Sequence, residues 1–350
     1  WDGAPAVFAG IDPTDGKFFV AKKGIFNKNP KVYKTAADVD ADTSGDLATK
    51  LKASLAAFKD LGIKDVIQGD LLYTHDTIDH TQIDGEDYIT FQPNTIVYAV
   101  PANSKLAKQI LRSKIGVVWH TIYRGNTFES MKASFGEDIS GRLKQTSAVW
   151  HTDATFKDVS GAATFTADET KAVTALLSRA GSLLNTIPAS TLNDISDNDE
   201  LLIRVKTYNN AKVRAGQKIT NTSAHVTGLM NFIHAYYQKQ ADTKKTDKGK
   251  QVQLAKQKEM LRYFTSHSKA DIVKVFDLMN LMVDCKNAVI HKLNMVQSLR
   301  TFLRTTDGFR ATTPEGYVAI DHIGNAVKLV DRLEFSRANF SPDIIKGWQK

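Results

Sequence analysis

Six short motifs in this 350-residue chain join glycines, carboxylates and lysines in combinations suited to handling phosphate. In order they are Trp1-Asp2-Gly3, Ala21-Lys22-Lys23-Gly24, Ile67-Gln68-Gly69-Asp70-Leu71, Thr95-Ile96-Val97-Tyr98-Ala99, Glu315-Gly316-Tyr317-Val318 and Val327-Lys328-Leu329-Val330. The chemistry is readable from residue types. A lysine amine attacks phosphorus only when neutral, so such a nucleophile needs burial or neighbouring cations. A carboxylate such as Glu315 can hold a Mg²⁺ that neutralises a triphosphate, and a lysine such as Lys328 can stabilise charge developing on a phosphate. Glycines let backbone and ligand approach closely. Taken singly the motifs say little, because Asp-Gly is a common hairpin turn and Glu-Gly often precedes a strand. Their weight comes from the order, with each motif on a strand or a strand end.

That ordered set resembles the covalent nucleotidyltransferase superfamily: ATP-dependent DNA and RNA ligases and mRNA capping enzymes. Asp2-Gly3 resembles the end of its Lys-x-Asp-Gly motif, which implies a nucleophilic lysine one position before Trp1, outside this sequence. Lys22, Lys23 and Gly24 resemble the next motif, which contacts ribose and the nucleic acid strand. Gly69-Asp70 is similar to the motif that ends in Gly-Glu, with an acid one methylene shorter. Tyr98 falls where the family's purine-stacking aromatic is expected. Glu315-Gly316-Tyr317-Val318 matches Glu-Gly-x-Val, which implies a metal-holding and catalytic role for Glu315. Lys328 stands for the first lysine of Lys-x-Lys, and Val330 departs from the second. The resemblance thus implies ATP and Mg²⁺ as cofactors, with Asp2, Gly3, Lys22, Lys23, Asp70 and Tyr98 around the nucleotide. It covers about residues 1–125 and 306–350. The wider sequence also resembles uncharacterised proteins of large tailed phages.

Other constellations carry less. His75, Asp76, Asp79 and His80 read as a polar loop rather than a metal site. His225 and His234 lie nine apart, a poor ligand spacing on one helix. Trp119-His120 on a strand reads as packing, and Cys285 on an apolar helix face reads as buried.

The elements that must position these residues follow from periodicity. Strands are predicted at Ala6–Ile11, Lys17–Lys22, Val66–Tyr73, Thr81–Ile83, Tyr88–Phe91, Thr95–Val100 and Ile115–Tyr123, with hairpin turns at Asp12–Gly16 and Asp84-Gly85. Helices are predicted over Gly45–Leu61 and Ser104–Arg112. After about Phe128 the pattern turns helical. Thr166 and Glu169 form a capping-box pair ahead of a Val173–Leu184 stripe, and Asp199–Lys212 and Ser223–Lys239 follow. Asp242–Lys250 reads as an exposed linker, and Ser268–Leu303 as one long amphipathic helix or two in line. Strands return at Tyr317–Ile320, Ala326–Val330 and Leu333–Phe335. The expected fold is therefore α+β. A β-rich unit, 1–128 and 306–350, is interrupted by a large α-helical insertion, 129–305; the resemblance implies that this unit is an antiparallel adenylation domain of the nucleotidyltransferase (ATP-grasp-like ligase) type.

Composition sets the outer bounds. With 42% hydrophobic and 24% charged residues the chain builds a real core. Its longest apolar runs fall short of a membrane span, and a single cysteine excludes a disulfide framework. The chain opens at Trp1 without a signal-like stretch, so its start reads as a cut edge and its location as cytoplasmic, the host's if phage-encoded. The net charge of +8 is local: Gln238–Arg304 holds 14 Lys/Arg against 6 Asp/Glu, so the remainder sums to zero. Within it Lys244, Lys245, Lys248 and Lys250 are candidate nucleic-acid contacts, RNA or DNA. The function that the resemblance implies is an ATP-dependent polynucleotide ligase-like adenylyltransferase. Two alternatives stand beside it: a catalytically decayed scaffold with a binding or virion-associated role, and a capping guanylyltransferase using GTP.

Overall fold

The computed structural model describes residues 4–154, 164–295, 300–313, 316–321, 323 and 325–347. The fold is α+β with antiparallel sheets. Contacts divide the chain into a strand unit (Trp1–Ala162, Asn294–Val330 and Ser341–Lys350) and a helical unit (Ala163–Leu293 and Asp331–Phe340).

The strand unit opens with β1 (Ala6–Ile11) and β2 (Phe18–Ala21). Their turn is tied by Asp12, whose carboxylate accepts from the Thr14 amide at 2.9 Å and pairs with Lys34 at 2.6 Å. Next come α1 (Ala36–Asp42), α2 (Gly45–Phe58), β3 (Val66–Thr74), β4 (Ile78–Ile83) and β5 (Glu86–Phe91). β6 (Ile96–Pro101), α3 (Lys105–Arg112) and β7 (Ile115–Arg124) follow. Asp84 and Gly85 both take positive φ, 53° and 83°, the two-residue turn whose twist suits a β4–β5 hairpin. β8 (Lys132–Phe135) and β9 (Val149–Asp153) complete the first sheet, whose order is β2-β1-β3-β7-β8, with β9 parallel to β7.

Alternation decides what each face of that sheet meets. Val7, Ala9, Ile67, Leu71, Val117 and Trp119 face α1 and α2, where Val39, Leu51 and Phe58 complete a core; Phe58 meets Trp119 edge-on at 5.3 Å. On the opposite face, Leu72 and Val118 join Ile89, Phe91, Ile96, Tyr98 and Val100 of the second sheet and Ile110 of α3.

The helical unit contains α4 (Ala167–Leu184), α5 (Ala189–Ser196), α6 (Asp199–Arg214), α7 (Thr222–Asp242), α8 (Asp247–Ser266) and α9 (Lys269–Asn294). The expected capping box at Thr166 and Glu169 is present. Leu201, Val226, Leu229, Ile233, Met260, Phe264, Ile272 and Phe276 form its core across α6 to α9. Tyr237 donates to Glu200, which also takes Lys256 at 3.2 Å.

The chain then supplies β10 (Arg300–Thr305), β11 (Gly308–Ala311), β12 (Tyr317–Ile320), β13 (Ala326–Leu329) and α10 (Arg332–Phe340). The second sheet runs β11-β10-β6-β5-β4, and β12 pairs with β13.

Four sequence expectations change. The helical unit begins near 163, not 129, because 132–135 and 149–153 are strands on β7. The long helix ends at Asn294 rather than Leu303. Phe302 and Leu303 satisfy both helical and alternating patterns, and pairing of β10 with β6 decides for strand. Asp242–Lys250 is mostly helix, since Thr246 caps α8 by accepting from the Gly249 amide at 3.1 Å. Leu333–Phe335 lies in α10, not a strand, and α10 belongs to the helical unit, where Arg332 donates to Asn210 at 2.8 Å.

Leu229, fully buried in α7, tests the helical core. Leu229→Ala is expected to destabilise that unit by about 2–5 kcal/mol, read as a lower urea midpoint in circular dichroism at 222 nm.

Candidate functional site

β3 sits between β1 and β7, and this placement assembles the site. Ala6 of β1 is the register partner of Asp70, and Asp70 is in turn the partner of Val118 on β7. The Pro5 carbonyl accepts from the Leu71 amide at 2.9 Å. The segment that follows Asp2-Gly3 is thus fastened beside the Gly69-Asp70 motif, some 65 positions away in sequence. Asp2 and Gly3 themselves lie outside the described residues, as does Glu315.

Gly69 is required by close packing. A Cβ there would come within 2.6 Å of the Val118 carbonyl oxygen and 2.7 Å of the Trp119 ring. Opposite it the register slips: Gln68 pairs with Thr121 and Gly69 with Trp119, leaving His120 as the extra residue of a β-bulge. The bulge turns His120 and Thr121 together, and the His120 Nδ1 and Thr121 Oγ1 lie 2.7 Å apart in a hydrogen bond. His120 Nε2 then stands 3.8 Å from Asp70 Oδ2. Burial pushes the imidazole pKa down to about 4, so His120 is neutral at pH 7 and the contact with Asp70 is not an ion pair there.

Next to Asp70 on the same face, Gln68 accepts from the Tyr123 hydroxyl at 2.7 Å. Tyr123, Phe8 and Phe26 form an aromatic wall, with centroids 4.7 Å apart for Phe26–Tyr123 and 5.7 Å for Phe8–Phe26. Phe26, two residues beyond Gly24, is 40% exposed. One patch therefore combines a carboxylate, a neutral imidazole, an amide and a partly exposed aromatic ring.

The other expected residues are placed differently. Lys22 turns toward α1 and pairs with Asp42 at 2.9 Å; Asp42 also accepts from Lys31 and from the Tyr33 hydroxyl. Lys31, Tyr33 and Lys22 together hold the Asp42 carboxyl well below the usual carboxylate range. Lys22 thus closes an internal charge cluster, while Lys23 is exposed. Tyr98 is 4% exposed and stacks on Phe91 at 5.6 Å, so in this structure it is a core residue with no ring face open to a purine. Lys328 is exposed on β13, opposite Val318. Val330, in place of a second lysine, packs on Gly316: a Cβ at Gly316 would lie 2.9 Å from a Val330 methyl. Lys244 and Lys245 lie in the turn between α7 and α8, and Lys248 and Lys250 in the first turn of α8. All four are exposed and unpaired among the described residues.

His120 and the aromatic wall were missed from sequence. The available signal was the adjacent polar pair His120-Thr121, which breaks the alternation of a strand otherwise apolar. No group of three or more His, Cys, Asp or Glu is placed to hold a metal among the described residues. A cavity of about 450 Å³, lined by Glu86, Tyr88, Arg300 and Phe302, opens on the far face of the second sheet, away from Asp70.

The chain belongs to a family of unknown function, DUF6267, whose profile matches residues 1–343. No curated protein and no solved structure matches it. No described helix is long and apolar enough to cross a membrane.

Two outcomes test this geometry. Gly69→Ala is expected to cost about 3 kcal/mol or to prevent folding, because the colliding atoms include backbone; urea unfolding followed by tryptophan fluorescence measures it. The second concerns pH. A histidine whose folded pKa is depressed contributes no pH dependence above about pH 6.5; stability is then lost as pH falls toward the folded value, because the unfolded chain binds the proton first. Relative to His120→Gln, the wild type is expected to lose on the order of 2 kcal/mol between about pH 6.5 and 4. Parallel profiles for the two proteins would show that His120 is not buried.

Proposed function

We propose that this protein is an ATP-dependent polynucleotide ligase-like adenylyltransferase, acting on RNA or DNA ends. The observation that carries this reading is the Ala6–Asp70 register, which fastens the strand after Asp2-Gly3 directly against Gly69-Asp70. The strand that begins three residues after one motif thus lies beside another motif remote from it in sequence.

In this reading the Asp70 carboxylate accepts hydrogen bonds from ribose hydroxyls. His120 and the Phe26–Tyr123 wall flank the base, taking the place expected of Tyr98. A lysine preceding Trp1 attacks the α-phosphorus of ATP; a nitrogen–phosphorus bond forms, the bond to the bridging oxygen breaks, and pyrophosphate leaves. AMP then passes to a 5′-phosphate end, and a 3′-hydroxyl displaces it. Lys328 supplies positive charge for the phosphates. Mg²⁺ bound at Glu315 would neutralise the triphosphate. The four lysines around the start of α8 attract the nucleic acid backbone, and the place of action is the cytoplasm, the host's if the chain is phage-encoded.

The reading is tested on the protein as it occurs naturally. With α-labelled ATP and Mg²⁺, label is expected to stay on the denatured protein, and Asp70→Asn is expected to reduce it at least tenfold. No label from ATP or GTP, despite a lysine before Trp1, would favour the decayed scaffold; label from GTP alone would favour a capping-type guanylyltransferase. For the nucleic acid, replacing Lys244, Lys245, Lys248 and Lys250 together by alanine is expected to weaken binding and flatten its salt dependence. An unchanged salt slope would assign those lysines to solvation.

A further inference from the structure

We propose that Arg310 is a phosphate-binding residue on the inner face of the second sheet. The inference rests on the site assigned above and adds a residue that none of the six motifs contains.

Register fixes where the side chain emerges. Arg310 on β11 is the partner of Leu303 on β10, and Leu303 is the partner of Ile96 on β6. Ile96 belongs, with Tyr98, to the cluster shared with Leu72 and Val118 of the first sheet. Val118 is the partner of Asp70. Arg310 therefore stands on the face of the second sheet that turns toward the Asp70 face of the first. Its neighbours in sequence confirm the parity: Phe309 meets Phe302 at 6.4 Å on the far face.

The Nη2 of Arg310 is buried and makes no hydrogen bond. Two other arginines of the strand unit have carboxylate partners: Arg124 forms a two-point pair with Glu137, and Arg300 donates to Glu86. A buried guanidinium nitrogen without an acceptor is costly, and arginine does not relieve the cost by losing its proton as a buried lysine does. Filling the inner face with an aliphatic side chain would avoid it. The planar fork of an arginine suits two oxygens of one phosphate. Phosphate oxygens reach this site from two sources in the proposed reaction: the triphosphate of ATP and the 5′-phosphate of a nucleic acid strand.

The test compares wild type, Arg310→Met and Arg310→Lys by calorimetric titration at low salt. The probes are inorganic tripolyphosphate, ATP, and an oligonucleotide with and without a 5′-phosphate. Arg310→Met is expected to weaken at least one phosphate probe by about tenfold or more, with Arg310→Lys between it and wild type. Loss confined to tripolyphosphate and ATP assigns Arg310 to the triphosphate; loss confined to the 5′-phosphorylated strand assigns it to the strand end. Without ligand, Arg310→Met is expected to melt no lower than wild type. Wild-type affinities for every phosphate probe in Arg310→Met, or in Arg310→Lys should the methionine variant not fold, would overturn the proposal. So would a wild type that binds none of them. Tripolyphosphate carries no base or ribose, so its arm judges Arg310 even if covalent labelling by ATP fails.

Discussion

Strand β3 is the constraint on which the strand unit depends. It is paired along both edges, to β1 and to β7, and it feeds two cores at once. Ile67 and Leu71 go to the helix-covered side, while Leu72 goes to the layer between the sheets. Such a strand tolerates no slip, because moving it by one residue would exchange its two faces. Gly69 is the point of tightest fit. With the backbone of Val118 and the ring of Trp119 against it, any side chain there would push β3 from β7 and open the bulge at His120. The polar patch is a by-product of that fit: the bulge places a neutral imidazole 3.8 Å from the Asp70 carboxylate.

Polar groups in the strand unit divide according to what holds them. Lys22, Lys31 and Tyr33 spend their donors on Asp42, so a lysine-rich motif contributes to internal order. Asp12 is buried, yet its charge is kept by Lys34 and Thr14. Asp70, His120 and Gln68 instead stand at a partly exposed face beside aromatic rings. A carboxylate with a neutral imidazole accepts and donates hydrogen bonds without presenting a net cation, which suits a ribose better than a bare phosphate. In the proposed reading the phosphate side of a nucleotide is met elsewhere, with Arg310 on the inner face of the second sheet as one cation for it.

Much of this was legible in the sequence, for identifiable reasons. The hairpins at Asp12–Gly16 and Asp84-Gly85 are local turns whose residue types dictate their backbone. The capping box at Thr166 is equally local. Structure departs from local pattern where tertiary pairing outweighs it. Residues 300–305 carry apolar positions that fit a helix, and only the edge offered by β6 makes them a strand. Thr246 is a good cap, but the lysines around it masked the start of α8. The site was half legible. Gly69 and Asp70 were singled out by type, whereas Tyr98 was chosen from a strand that turns out to pair in the other sheet. The strand beside Asp70 is β7, and no sequence rule names β7 over β6 as the neighbour of β3.

The central claim is that a nucleotide binds at the face formed by β3 and β7. The most direct measurement is amide chemical-shift mapping by NMR of the strand unit's residues in the intact chain on addition of ATP. The largest changes are expected at Gln68, Gly69, Asp70, His120 and Thr121, with Phe26 following. Changes confined to the Glu86–Tyr88–Arg300 cavity on the far face of the second sheet, or none at saturating ATP, would contradict it.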